Sequence, residues 1–193
     1  HLHAFRETFA EQLGPSLPSV IAEELRAGDI TGYELAEAAA ELTPVTVFHD
    51  NWRAAPGTVE PQSGPTEIGE AMDSWPIAGT TVPRSARERE GGEDAGQQPD
   101  TRLFVSEFDL DFDRTERRPA FLVLWAVSER IQVYVNGSLA GEANPAFGSV
   151  PATVRIPLAD EIFKDSNPQL LSVALRHPTP ARLPWRAIWL AVK

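Results

Sequence analysis

A mainly β chain, folded as a β-sandwich behind a short α-helical N-terminal extension, is what this sequence predicts. Three observations carry the prediction. From Val45 onward the chain breaks into short β-branched and aromatic runs separated by proline and glycine, the texture of an all-β domain. Within that stretch Ile131, Val133 and Val135 alternate with Gln132 and Tyr134 and lead straight into Asn136-Gly137, the strongest short-range signal for a tight hairpin. Before Pro44 the apolar residues recur instead at helical spacing. The boundary gives an acidic helical extension over residues 1–44 and a sandwich over residues 45–193.

In the extension, Phe5, Phe9 and Leu13 fall at i, i+4 and i+8, which predicts a helix over residues 4–13 that Gly14-Pro15 ends. A second helix is expected over residues 18–27, with Val20, Ile21 and Leu25 inward. Thr31-Gly-Tyr-Glu34 has capping-box spacing ahead of a third that Pro44 stops. Eight acidic residues against two basic give this segment a formal charge of −6, more than half of the chain's total. Helices this short are marginal alone, so they must pack on the sandwich, on a partner or on a domain outside this chain.

In the sandwich, strands are expected over residues 45–48, 101–112, 119–127, 132–135, 152–156, 170–175 and 186–192. The Pro-, Gly- and Ser-rich region 56–83 reads as loop with occasional short strands, and the charged, glycine-rich residues 87–100 as a surface loop. Along 101–112 the phenylalanines Phe104, Phe108 and Phe112 share one parity, which is expected to face the core. Leu103, Val105, Glu107, Asp109 and Asp111 share the other, expected to face solvent.

Composition narrows the function. At 193 residues, with 42% hydrophobic and 23% charged residues, the chain is an ordinary globular one with one principal core. A net charge of −11 and a pI near 4.8 disfavour nucleic acid and anionic lipid as partners. No run approaches the length of a membrane span, so no membrane insertion is expected. Without cysteine, neither disulfide nor thiolate chemistry is available, and the compartment stays open. His1 stands at the first position, as in a processed product, a trimmed chain or one piece of a longer polypeptide.

The run Ile131-Gln-Val-Tyr-Val-Asn-Gly-Ser-Leu-Ala-Gly141 resembles the strand-turn-strand of the sugar-binding domain of β-galactosidase- and β-glucuronidase-type glycoside hydrolases. Further pieces fall in that family's order: Asp50-Asn-Trp52, Thr81-Val-Pro83, Phe104-Val-Ser-Glu-Phe108, Phe121-Leu-Val-Leu-Trp125 and Asn167-Pro-Gln-Leu-Leu-Ser-Val173. One departure is Leu103-Phe104-Val105, where the family carries an aromatic-tyrosine-arginine sequence. The resemblance implies a galactose-binding-domain-like jelly roll. It also implies an accessory domain or fragment of a glycoside hydrolase, whose catalysis sits in a separate barrel, so no catalytic residue and no cofactor is expected here.

Binding of a neutral carbohydrate would use an aromatic platform ringed by polar side chains. Trp52, Trp75 and Trp185 lie beside loop signals and qualify, with structural burial as the plainer alternative for each. His177, Arg182 and Arg186 supply polar groups near Trp185, and Asn144 with Phe147 sits after the hairpin. Trp125 and Trp189 lie within apolar strands and read as core. Alternating Glu107, Asp109, Asp111 and Asp113 would place carboxylates about 6–7 Å apart on one strand face, a spacing glycosidases use, yet a solvated outer face explains the same pattern. His1, His3, His49 and His177 form no zinc motif, and the aspartates lack the calcium-loop pattern, so no metal is expected. The alternative to sugar binding is a structural or protein-protein assembly module in which another protein domain is the partner and the N-terminal helices dock.

Overall fold

A computed structural model of the chain describes residues 17–19, 21–23, 38–48, 52–55, 59–63, 68–78, 101–110, 118–145, 151–176 and 183–193. Nine strands are described: β1 (Thr43–Phe48), β2 (Arg53–Ala54), β3 (Thr101–Phe108), β4 (Ala120–Val127), β5 (Ile131–Val135), β6 (Ser138–Ala143), β7 (Ala152–Leu158), β8 (Gln169–Arg176) and β9 (Ala187–Val192). They form a four-stranded sheet in the order β1-β9-β4-β7 and a five-stranded sheet in the order β2-β3-β8-β5-β6, antiparallel throughout.

The pleat explains the core. Leu122 and Leu124 of β4 and Ile188, Leu190 and Val192 of β9 point from one sheet. Phe104 and Phe108 of β3, Ile131, Val133 and Val135 of β5 and Leu171, Val173 and Leu175 of β8 meet them from the other. A bulge in β4 keeps this pattern intact. Its register with β7 shifts between Leu124 and Val127 while Ala126 takes φ 53°, and Val127 returns to the core although simple alternation would turn it away.

Each outer face also carries a cover over part of its described surface, while Leu139 of β6 stays 53% exposed. On the four-stranded sheet, Val123, Trp125, Ala187, Trp189 and Ala191 pack beneath Leu17, Ile21, Ala22, Ala38, Ala39 and Leu42 of the N-terminal segment. The described residues Ser19, Ile21–Glu23, Ala38 and Ala39 of that segment are helical. Arg155 lies 4.0 Å over the Phe121 ring and donates to the Ala40 carbonyl, and Lys193 pairs with Glu41 at 2.7 Å. The helix expected over residues 4–13 and the Thr31–Glu34 cap lie outside the described residues. On the five-stranded sheet, a 3-10 helix (Gly69–Ser74) brings Met72, with Ile68 and Trp75 on either side, over Leu103, Val105, Tyr134, Leu170 and Ala174. This corrects one expectation: Leu103 and Val105 do not face solvent, because residues 68–75 return across that face of β3.

The Asn136-Gly137 hairpin forms as expected, with both residues at positive φ, 51° and 85°, the requirement of a type I′ turn. Its asparagine ties the turn to the neighbouring strand. Asn136 Nδ2 donates to the Ile162 carbonyl (2.9 Å) and Gln169 Oε1 (2.7 Å), and Asn136 Oδ1 accepts from the Leu170 N–H (2.9 Å). Gln169 is fully buried and satisfied in turn, its Oε1 accepting from the Lys164 N–H (2.8 Å) and its Nε2 donating to the Ser166 carbonyl (2.8 Å).

Candidate functional site

Strand register gathers several connections at one end of the sandwich. Ile131 pairs with both Ala143 and Leu175, and Thr101 with Arg176. The connections over residues 128–130, 144–151 and 177–186 therefore leave from the same end. Asn144 opens the second of these and is exposed. Arg186 closes the third and is also exposed, with its guanidinium 5.2 Å from the Trp125 ring centre and its N–H donating to the Trp125 carbonyl. Phe147, His177 and Arg182 lie outside the described residues.

The candidate tryptophans do not line that end as open rings. Trp52 is 1% exposed, Trp185 6% and Trp75 8%. Trp52 and Trp185 meet edge to face at 4.9 Å, Trp185 meets Phe104 at 5.7 Å, and Phe48 meets Phe108 at 5.1 Å. Trp52 Nε1 donates to the Phe48 carbonyl at 3.2 Å. These five rings fill the part of the core next to β1 and β3. Trp75 belongs to the cover over the five-stranded sheet, and its carbonyl accepts from Arg53 Nη1 at 3.0 Å. A stacking platform needs a ring face open to the ligand, and none of the three offers one. The neighbouring turns had marked these residues as loop, but a large ring at a turn beside an unfilled core folds inward.

The carboxylates stand elsewhere. Glu107 is exposed on β3 and borders a cavity of about 250 Å³ lined also by Arg53, Met72 and Ile77, the last 44% exposed. That is slightly below the usual volume of a small-molecule pocket, roughly 300–1,000 Å³. Among the described residues one carboxylate lines it, whereas glycoside cleavage uses two flanking the bond. Asp109 is exposed nearby, and Asp111 and Asp113 lie outside the described residues. Among the described residues no group of three or more His, Asp or Glu side chains is placed to hold a metal ion.

Partial burial, and then the negative charges of Asp73 and Asp109, hold the Glu107 carboxyl above its ordinary value of 4.5. A carboxyl raised in the folded state binds its proton more tightly there than in the unfolded chain. Stability accordingly falls as pH rises from about 4.5 through the folded value, and the penalty is fully present at neutral pH. Glu107→Gln is expected to raise Tm at neutral pH, with the gain vanishing below pH 4.5. Paired thermal melts of the two proteins across that range check it.

No protein-family model matches the chain, and no curated protein sequence matches it significantly. Solved structures do share its fold. The β-D-glucuronidase of Dictyoglomus thermophilum superposes at a TM-score of 0.51 with 11% identity, over 80% of this chain and 28% of that one. A β-glucuronidase of Bacteroides uniformis gives 0.50 with 15% identity, over 76% and 17%. A glycosyl hydrolase family 2 member of Bacteroides cellulosilyticus gives 0.50 with 11% identity, over 77% and 20%. At these identities the likeness is one of fold, a β-sandwich domain within much longer proteins, and the chain spans well under a third of their length.

Proposed function

We propose that this chain is a non-catalytic accessory β-sandwich of the glycoside-hydrolase kind whose work is structural, as a module that abuts another protein domain. The burial of Trp52, Trp75 and Trp185 carries this reading, since it removes these three rings as platforms for sugar stacking. The likeness to one domain of family 2 glycosyl hydrolases supports the accessory role. Leu17, Ile21, Ala22, Ala38, Ala39 and Leu42 of the N-terminal segment pack on the chain's own sheet, which supports a covering role for those residues.

One observation favours a second reading, binding of a neutral carbohydrate without stacking on those rings. Asn144 and Arg186 stand next to strand ends at one end of the sandwich and are exposed there, and in sequence Phe147, His177 and Arg182 belong to the same two connections. Isothermal titration calorimetry against neutral mono- and oligosaccharides separates the two. The structural reading expects no saturable heat from any sugar with the folded protein. Saturable heat that Asn144→Ala or Arg186→Ala abolishes, at unchanged Tm, would replace it with the second.

A further inference from the structure

We propose that Asn136 is a deamidation site gated by the fold: closed while the hairpin is formed, and weakening the hairpin once it has reacted. Of the chain's four asparagines, Asn136 alone precedes glycine. Asn144 and Asn167 precede proline, whose nitrogen carries no proton to lose, and Asn51 precedes the bulky Trp52. Deamidation begins when the backbone nitrogen of the following residue attacks the side-chain carbonyl carbon. Here the Gly137 nitrogen would bond to Asn136 Cγ and ammonia would leave, closing a five-membered imide. Water then adds to either imide carbonyl, one carbon-nitrogen bond opens, and an aspartyl or isoaspartyl residue results with one more negative charge.

The fold blocks the first step. The Asn136 amide cannot swing toward the Gly137 nitrogen while its oxygen accepts from Leu170 and its NH2 donates to Ile162 and Gln169. The backbone is held as well, for the Asn136 N–H donates to the Leu170 carbonyl at 2.8 Å. The reaction must therefore wait for the hairpin to open.

The same contacts make the reaction one-way in its effect. A carboxylate has no N–H to offer, so it would set its lone pairs against the Ile162 carbonyl and Gln169 Oε1. Gln169 cannot turn its own NH2 to meet it, because Nε2 is held by the Lys164 and Ser166 carbonyls and Oε1 by the Lys164 N–H. A reacted chain thus carries a permanent mark of having opened.

The test incubates the intact chain at mildly alkaline pH, with and without guanidinium chloride, and resolves asparaginyl, aspartyl and isoaspartyl forms by peptide mapping. Conversion at Asn136 is expected to be at least about tenfold slower in the folded protein, because only locally opened molecules react. Equal rates in the two conditions would overturn the gate. Thermal melts of Asn136→Asp at neutral pH address the second half: a lowered Tm or failure to fold is expected, and an unchanged Tm would overturn it.

Discussion

A chain lacking residues 1–42 is expected to lose most of its stability and to self-associate. Leu17, Ile21 and Leu42 are each at most 4% exposed, and they lie on the outer face of the four-stranded sheet. Burying one such side chain stabilises by about 1.5–3 kcal/mol. Three together rival the net stability of a typical domain, roughly 5–15 kcal/mol. Their loss would also bare Val123, Trp125, Trp189 and Ala191, a contiguous apolar face that water does not tolerate without association. Thermal melting and sedimentation of the truncated chain read both effects. A truncated chain that stays monomeric with an unchanged Tm would show that the cover contributes nothing to the fold.

Trp185→Ala is expected to cost about 3–5 kcal/mol, the range for deleting a large aromatic side chain from a core. The ring stands between Trp52 and Phe104, and its removal breaks both edge-to-face contacts and leaves a void between β1 and β3 that rigid strands cannot collapse to fill. In urea the unfolding midpoint should fall while the slope stays constant, since the mutation alters packing and not the surface exposed on unfolding. A sugar platform would behave oppositely: its alanine variant would keep the midpoint and lose a ligand.

Much of the fold was legible because its strands carry local signals. The alternation in β5, the Asn136-Gly137 turn and the apolar runs of β4, β8 and β9 place those strands within two residues of their observed bounds. What escaped was decided at long range. Neither β2 nor the 3-10 helix over Gly69–Ser74 has periodicity of its own, and each is held by contacts with strands distant in sequence, such as the Ala55 N–H to the Leu103 carbonyl. The face of β3 bearing Leu103 and Val105 could be read correctly only by knowing that residues 68–75 return to cover it.

The candidate site was less legible for a related reason. Sequence shows that Trp52, Trp75 and Trp185 neighbour turns, but whether a ring beside a turn points out or in depends on the room left in the core. Here Trp52 and Trp185 took it. Asn144 and Arg186 stand next to strand ends that the hairpin signal and the apolar run of β9 mark locally, and both are exposed.

The covered outer faces have a consequence for how this module can be joined to anything. A sandwich with bare sheets can lay a broad flat surface against its neighbour, whereas here Leu17, Ile21 and Leu42 occupy part of one outer face and Ile68, Met72 and Trp75 part of the other. The rim along β6 and β7 is closed in part by Gly141, whose missing side chain lets Ile156 approach to 2.9 Å of where a Cβ would stand. Among the described residues what is left includes the strand termini, the flank of β1, Leu139 on β6 and the strip around Ile77. On the structural role proposed above, such a block would join a larger architecture by its corners, like a keystone and not like a tile.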